Sequence, residues 1–320
     1  MTRPSAVPPP VTAVLDASSR WLPVRLGQVE DLLRGEAVDG GPLGADAEAT
    51  LDAGGKRLRP MLTLLCAGEP GGEEEVRGAA AIELVHMATL VHDDVLDDAA
   101  LRRGRPTVFA ESGRGRATAV GDLLFSRAFA LLAGPRERRS VELLSAASVS
   151  LAKGELAQRQ DAFDTSIPEG RYLDRCRLKT AALFECACRI GRDDRAVGSF
   201  GAEIGLAFQL LDDVLDVSGP PSRTGKARGT DLLDGTVTLP LIDAAAVEPE
   251  IAAVDLRVLD PGSAEMLCDR IAATGALERV RARALEMVAS AKRHLQGDGF
   301  DPEQRHLLGL VADGVAQRYS

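Results

Sequence analysis

The run from Glu83 to Thr107 reads ELVHMATLVHDDVLDDAALRRGRPT, and its centre is the acidic cluster Asp93, Asp94, Asp97 and Asp98. Upstream of the cluster, Ile82, Leu84, Val85, Leu90 and Val91, with Val95 inside it, have the spacing of a long buried helix. At about 3.6 residues per turn, His86, Asp93 and Asp97 fall on one narrow stripe of that helix and point the same way. Four carboxylates within six positions repel one another, and late in a helix they also face the negative end of its dipole. The arrangement asks for a positive partner. Most acidic runs are solvated faces, but apolar residues interrupt this one and Arg102, Arg103 and Arg105 follow at once.

A second copy lies at Phe208 to Asp216, FQLLDDVLD, after another apolar helical run (Ile204, Leu206, Ala207, Leu210, Leu211). Asp212 and Asp216 are one turn apart, as Asp93 and Asp97 are, and Asp213 repeats the place of Asp94. All-oxygen sites with spare coordination positions suit a hard cation that keeps waters and takes substrate phosphates, which describes magnesium better than zinc or calcium. Neither motif has the glycine and spaced ligands of a calcium loop.

A third motif is basic. In GGKRLRPML, starting at Gly54, Pro60 is placed as the first residue of a helix running to about Ala67, so Lys56, Arg57 and Arg59 crowd a helix start. Arginine there opposes the dipole, whereas backbone donors and dipole together favour an anion, so a bound phosphate explains the motif.

Composition frames these motifs. The chain has 320 residues, 45% of them hydrophobic, enough for a sizeable core. A net charge of −10 and an aromatic content of 3% argue against a nucleic-acid partner, which would need a basic surface or stacking platforms. Cys66, Cys176, Cys186, Cys188 and Cys268 are odd in number and sit in apolar helical stretches, the pattern of reduced, buried thiols. The segment MTRPSAVPPPVT lacks the apolar core of a signal peptide and reads as a disordered tail over residues 1–12, followed by a single domain over 13–320. No uncharged apolar run reaches membrane-spanning length, so the expectation is a cytoplasmic protein without transmembrane segments.

In order, the chain reads as helices joined by short glycine and proline breaks. The expected helices are about Val14 to Leu33, one ending at Gly54-Gly55, about Thr118 to Leu132, and Glu137 to Gln158 carrying Gly154, Glu155 and Gln158. Ser166-Ile167-Pro168-Glu169 has the form of a capping box opening a helix that ends near Gly191. On that helix Lys179 and Thr180 sit among Leu178, Ala181, Ala182 and Leu183, where a lysine can also simply snorkel from an apolar face. After the loop SGPPSRTGKARGT, with Lys226 and Arg228, four more helices are expected at Asp231 to Ala246, Ala264 to Thr274, Ala276 to Leu295 and Pro302 to Gln317. No stretch shows sustained strand alternation. The fold class is all-α.

From about Gly54 onward the chain resembles the trans-isoprenyl diphosphate synthases, or polyprenyl synthetases. GGKRLRP at 54–60, His86, HDDVLDD at 92–98 with RRG at 102–104, Lys179-Thr180, FQLLDDVLD at 208–216 and GK at 225–226 occur in that family's order. The resemblance implies a helical bundle around a deep central apolar cavity whose mouth holds the two aspartate motifs face to face, and it implies a homodimer. It also implies a prenyltransferase: an allylic diphosphate loses pyrophosphate, and isopentenyl diphosphate adds to the cation so formed. Three magnesium ions per site would neutralise the departing charge, held by Asp93, Asp94 and Asp97 of one motif and Asp212, Asp213 and Asp216 of the other. Arg102, Lys179 and Lys226 would hold the allylic diphosphate with support from Thr180 and Gln209; Lys56, Arg59, His86 and Arg103 would hold isopentenyl diphosphate.

Product length is read from the positions before the first motif. In the family, bulky aromatics four or five residues before the first aspartate close the cavity early, and here those positions are the small Thr89 and Ala88. A long-chain polyprenyl diphosphate is therefore favoured, with geranylgeranyl diphosphate the alternative if Val85, Phe125 or Phe129 builds a floor further down. Many members carry a second lysine where this chain has Thr236. A terpene cyclase would cage cations with aromatic faces, which are scarce here, and a non-catalytic subunit would show eroded aspartate motifs, whereas both are intact.

Overall fold

The computed structural model describes residues 9–18, 21–39, 41–69, 71–102, 104–134, 137–219, 228–297 and 299–317. Arg103, Lys226 and the first part of the tail, residues 1–8, lie outside them. The described chain is helical throughout, apart from a hairpin in which Leu101–Arg102 (β1) pairs antiparallel with Arg105–Pro106 (β2).

The central helix is α5, Glu73–Leu96. Its first turn holds Glu73, Glu74 and Glu75, the charge sign the positive helix end favours, and the Gly72 backbone N–H donates to the Glu75 carboxylate. The helix is buried nearly all round, and the small Ala79, Ala80, Ala81 and Ala88 let neighbours close in. Those neighbours are α2 (Leu22–Val38), α4 (Leu58–Ala67), α6 (Val108–Leu131) and α9 (Ala182–Gly191). The helix ends where the acids begin to crowd. Asp97 is its C-terminal cap, with its N–H on the Asp93 carbonyl at 2.8 Å, and Asp98 takes a left-handed φ of 47° that turns the chain toward the hairpin.

The second acidic helix, α10 (Arg195–Ser218), starts at Asp194, whose side chain accepts from the Ala196 N–H at 2.7 Å. It packs against α9 on one side and α15 (Ala276–His294) on the other. Thus α9 stands between the two acid-bearing helices, and the buried Phe184 and Cys188 are among the groups that fix the spacing. The remaining elements are α1 (Pro9–Ala17), α3 (Gly44–Asp52), α7 (Arg138–Gln160), α8 (Glu169–Cys176), α11 (Thr230–Leu233), α12 (Leu239–Val247), α13 (Pro249–Ala252), α14 (Pro261–Ala273) and α16 (Pro302–Gln317). One buried apolar cluster runs from Val14 to Val315. Among the described residues no helix is long and apolar enough to cross a membrane.

Several boundaries differ from expectation, each for a local reason. The helix expected from Val14 to Leu33 is two, because Pro23 stands at the start of α2 and the chain turns first, with the Ser18 hydroxyl donating to the Val14 carbonyl at 2.5 Å. Helix also begins inside the stretch read as a tail, at Pro9, since prolines are tolerated in a first turn whose N–H groups have no partners. Pro60 is third, not first, in α4, another position whose N–H has no partner within the helix. The Ser166 capping box does not form: Pro168 precedes α8, and the Ser166 hydroxyl bonds Asp164 at 2.6 Å. Between Asp231 and Ala246 the helix breaks at Gly235, which has φ of +73° and packs on Phe163. Helix α6 begins ten residues early, at Val108, capped by Thr107 and kinked at Gly113.

Candidate active site

A cavity of about 1060 Å³ opens among α2 to α6, the β1–β2 hairpin, α9 and α10. Lys56, Arg59, His86, Asp94, Arg102 and Asp212 all line it, so the basic loop and one carboxylate from each acidic motif share one space. Such a volume stands at the upper end for ligand cavities. Its walls are apolar where Met61, Met87, Leu90, Phe184 and Phe208 face it.

The carboxylates of the first motif meet the protein's own cations. Arg102 Nε donates to Asp94 Oδ1 at 2.8 Å, and the hairpin is what brings it back to the helix it follows. Arg159, from the end of α7, donates to Asp97 Oδ1 at 2.5 Å and to Glu155 Oε1 at 2.9 Å. Glu155 in turn pairs with Lys179 Nζ at 2.5 Å. Burial raises the Asp93 carboxyl to about 6, against the pull of Lys179 and Arg102. This end of α5 is where negative charge is least comfortable.

The second motif sits in a chain of donors. Thr180 Oγ1 donates to Gln209 Oε1 at 2.7 Å, Gln209 Nε2 donates to Asp213 Oδ1 at 2.7 Å, and the Tyr172 hydroxyl donates to Asp213 Oδ2 at 2.5 Å. Asp213 is buried at 2% exposure, which holds its carboxyl well above the usual range, with the neighbouring Asp231 and Asp212 adding to the effect. Asp216 Oδ2 accepts from the Asp231 backbone N–H at 3.2 Å. The segment Arg177–Ala181 that carries Lys179 and Thr180 is a π-helical turn between α8 and α9, a bulge of the sort found at functional sites.

On the basic side, burial lowers the Arg59 guanidinium to about 10, with Glu83 opposing the drop. Arg59 lies over the Phe184 ring, 4.4 Å from its centroid, and its Nε has no hydrogen-bond partner. An anion in the cavity is the natural partner for such a group.

Among the described residues no three carboxylate, imidazole or thiol groups converge closely enough to hold an ion as they stand. The donor chemistry nevertheless fits a hard divalent cation: Asp94 and Asp212, one carboxylate from each motif, border one cavity, and next to Asp94 the Asp93 carboxyl is held above its ordinary range by desolvation that a cation would offset. Arg103 and Lys226 lie outside the described residues. The five residues expected to set product length do not line this cavity. Val85 and Ala88 are fully buried on α5, Thr89 donates to the His86 carbonyl at 2.8 Å, and Phe125 and Phe129 are partly buried on α6.

Sequence reasoning missed Arg159, Tyr172 and Phe184, which come from α7, α8 and α9 and carry no spacing signal of their own. Glu155 was noted without a role.

The polyprenyl synthetase family profile matches residues 43–265. The chain belongs to the polyprenyl synthetase family. It is 39% identical over 303 residues to heptaprenyl diphosphate synthase component 2 of Geobacillus stearothermophilus, a match covering 90% of this chain and 94% of that one. Octaprenyl diphosphate synthase of Escherichia coli is 35% identical, with 82% and 85% covered. Among solved structures, a polyprenyl synthase of Caulobacter crescentus complexed with calcium and isoprenyl diphosphate superposes with a TM-score of 0.90 at 31% identity, covering 99% of this chain and 100% of that one. A decaprenyl diphosphate synthase of Rhodobacter capsulatus gives 0.87 at 33%, covering 97% and 99%. Membership makes the chain a prenyltransferase with the all-α isoprenoid synthase fold. Thr236, where the resemblance leads one to expect a lysine, has its backbone N–H on the Asp231 carbonyl at 2.7 Å and helps close the turn at Gly235.

Proposed function

We propose that this prenyltransferase condenses isopentenyl diphosphate with an allylic diphosphate and repeats the addition to give a long-chain linear polyprenyl diphosphate. One observation carries the reading: the Lys56–Arg59 loop and carboxylates of both acidic motifs line a single cavity. Two anionic substrates need two cationic sites, and the cavity has Lys56, Arg57 and Arg59 on its α4 side and Arg102 and Arg105 on its hairpin side.

In this reading Lys56, Arg59, His86 and Arg103 hold isopentenyl diphosphate, while Arg102, Lys179 and Lys226 hold the allylic diphosphate. Thr180 and Gln209 act on the second site through the donor chain that ends on Asp213. Asp93, Asp94 and Asp97 with Asp212, Asp213 and Asp216 would hold magnesium, three ions in all. When bound, that metal neutralises the charge growing on the departing diphosphate. The allylic carbon–oxygen bond breaks, the new carbon–carbon bond forms, and a proton leaves the isopentenyl carbon for the released pyrophosphate. The protein's part is to orient two diphosphates so that the reacting carbons meet in an apolar space.

Relatives named heptaprenyl, octaprenyl and decaprenyl diphosphate synthases support a long product, and so does the absence of an aromatic at positions 88 and 89. A geranylgeranyl product is the second reading, favoured by two phenylalanines, Phe125 and Phe129, on the helix packed against α5. A homodimer is supported by apolar exposure on α7, Val149 at 52% and Leu156 at 59%. The relative called component 2 leaves a different partner as the alternative. Five free, buried cysteines support a reducing cytoplasm, and one continuous core supports a single domain from residue 13 to 320.

Incubation of the pure protein with isopentenyl diphosphate, allylic primers and magnesium should give elongated linear prenyl diphosphates, and a chelator should stop it. Cyclic hydrocarbons in place of those products would overturn the reading.

A further inference from the structure

Arg57 is an arginine where glycine would be easiest. It precedes α4 in the left-handed region, at φ 48° and ψ 36°, a conformation that is strained for a residue bearing a Cβ. Its side chain does not lie idle. Nη1 donates to Glu83 Oε1 at 2.9 Å, Nη2 to Glu30 Oε2 at 3.3 Å, and Nε also reaches Glu30. Glu83 is on the central helix α5 at 3% exposure, and Glu30 is on α2. Burial works against the Arg57 charge, yet the two carboxylates hold its guanidinium above the ordinary value. A buried carboxylate such as Glu83 must be paired.

Its neighbours give the pairing its meaning. Lys56 and Arg59 flank Arg57, and all three line the cavity, but only Arg57 is committed to Glu83 and Glu30. Glu83 lines it too and acts electrostatically on Arg59. If Arg57 were missing, Glu83 would take Arg59 as its cation, and Arg59 would turn from the cavity to the carboxylate. With Arg57 in place, Glu83 is satisfied, and Arg59 keeps an Nε without a hydrogen-bond partner.

We propose that Arg57 is a positioning residue: by neutralising Glu83 and anchoring to Glu30 it fixes the turn between Lys56 and Arg59 and keeps Arg59 for the diphosphate. The proposal rests on the reading of Lys56 and Arg59 as the isopentenyl diphosphate site. It assigns a role to three side chains, of which Arg57 and Glu83 border the cavity and Glu30 anchors Arg57 from α2.

The test uses steady-state kinetics of the full chain with each substrate varied in turn. Arg57→Ala should raise KM for isopentenyl diphosphate roughly tenfold, the scale of one lost charged hydrogen bond, and leave KM for the allylic substrate unchanged. Adding Glu83→Gln to Arg57→Ala should recover most of that loss, because the unpaired carboxylate that captures Arg59 is gone. Arg57→Lys, which keeps the charge but cannot bridge two carboxylates, should fall between wild type and Arg57→Ala, and it carries the test if Arg57→Ala does not fold. No recovery in the double variant means that Arg57 contacts substrate itself, and the proposal is wrong. A lowered Tm with unchanged KM in Arg57→Ala or Arg57→Lys means a purely structural role, and the proposal is equally wrong. Lys56→Ala separates the layers: if it raises KM while the Arg57 variants do not, only this proposal fails, and if it too leaves KM unchanged, the site reading falls and takes the proposal with it.

Discussion

Gly154 should not tolerate a methyl group. A Cβ built there would stand 2.4 Å from the Lys179 backbone nitrogen, 2.7 Å from Lys179 Cα and 2.9 Å from the Leu178 carbonyl carbon. These are backbone atoms of the π turn, so no rotamer change relieves the contact. Ordinary contact between such atoms begins near about 3.5 Å, so α7 and the turn must part by about 1 Å. Overpacking of this kind costs about 1–3 kcal/mol. It also moves the backbone that carries Lys179 and Thr180 relative to Glu155, and a shift of about 1 Å near reacting groups can cost on the order of 100-fold in rate. Gly154→Ala should therefore lower kcat/KM for the allylic substrate by roughly 10- to 100-fold. The apparent Tm should fall by about 1–2 °C for each kcal/mol lost in a chain of this size. Differential scanning calorimetry and kinetics with both substrates varied would measure the two effects. Gly27→Ala in α2 is the control, since nothing lies within 4 Å of its added Cβ; it should be neutral or slightly stabilising. A Gly154→Ala enzyme with wild-type Tm and wild-type allylic KM would show that the close approach does not hold Lys179 in place.

Three further outcomes are expected. Asp93→Ala or Asp212→Ala should reduce turnover by at least about 100-fold with the circular dichroism spectrum unchanged, and should weaken magnesium binding measured by calorimetry; an active variant contradicts the metal assignment. Ala88→Phe places a ring at a fully buried site on α5 and should shorten the product, read by chromatographic sizing of the dephosphorylated alcohols, whereas an unchanged length puts the floor elsewhere. Tyr172→Phe leaves Asp213 with Gln209 as its remaining side-chain donor and should destabilise the protein by about 1–3 kcal/mol in thermal unfolding; unchanged stability would mean that the hydroxyl does not serve Asp213.

The parts of the fold that could be read in advance are those where one residue type has one physical use. Acids one turn apart at the end of an apolar run put Asp93 on α5 and Asp212 and Asp216 on α10, whereas Asp97, expected on the same helical stripe as Asp93, is the cap that ends α5. The glycine pair at 54 and 55 marked the turn before α4, and Gly54 indeed takes φ of +78°. What stayed hidden depends on contacts between distant segments. Nothing in the local pattern around Arg159 says that α7 will bring it to Asp97, 62 residues away in sequence. Tyr172 looks like any amphipathic tyrosine until α8 crosses Asp213. The chain-length positions illustrate the same limit: periodicity put Ala88 on the buried side of α5, but which neighbour buries it is a tertiary fact. Proline misled in both directions, since Pro9 begins a helix that composition denied and Pro23 marks the start of a new helix where amphipathic spacing ran one through.

The cations around the first motif change how its acidity should be understood. Carboxylates crowded at the negative end of α5 need positive charge, and the arginines that follow them in sequence are one expected source. Arg102, Arg159 and, through Glu155, Lys179 already supply part of it from the protein. These groups are also partly exposed, Arg102 at 28% and Lys179 at 28%, so each can exchange one anionic partner for another without a large desolvation cost. On the proposed reading Arg102 and Lys179 hold the allylic diphosphate, and taking that ligand would loosen Asp94 and Glu155. A carboxylate so loosened regains its appetite for a cation. On that reading, diphosphate capture and release of Asp94 from Arg102 would be one event, with basic residues kept within hydrogen-bond reach of acids that the reading needs free. Packing the same acids against apolar neighbours would have left them protonated, and leaving them in open water would have left them weak.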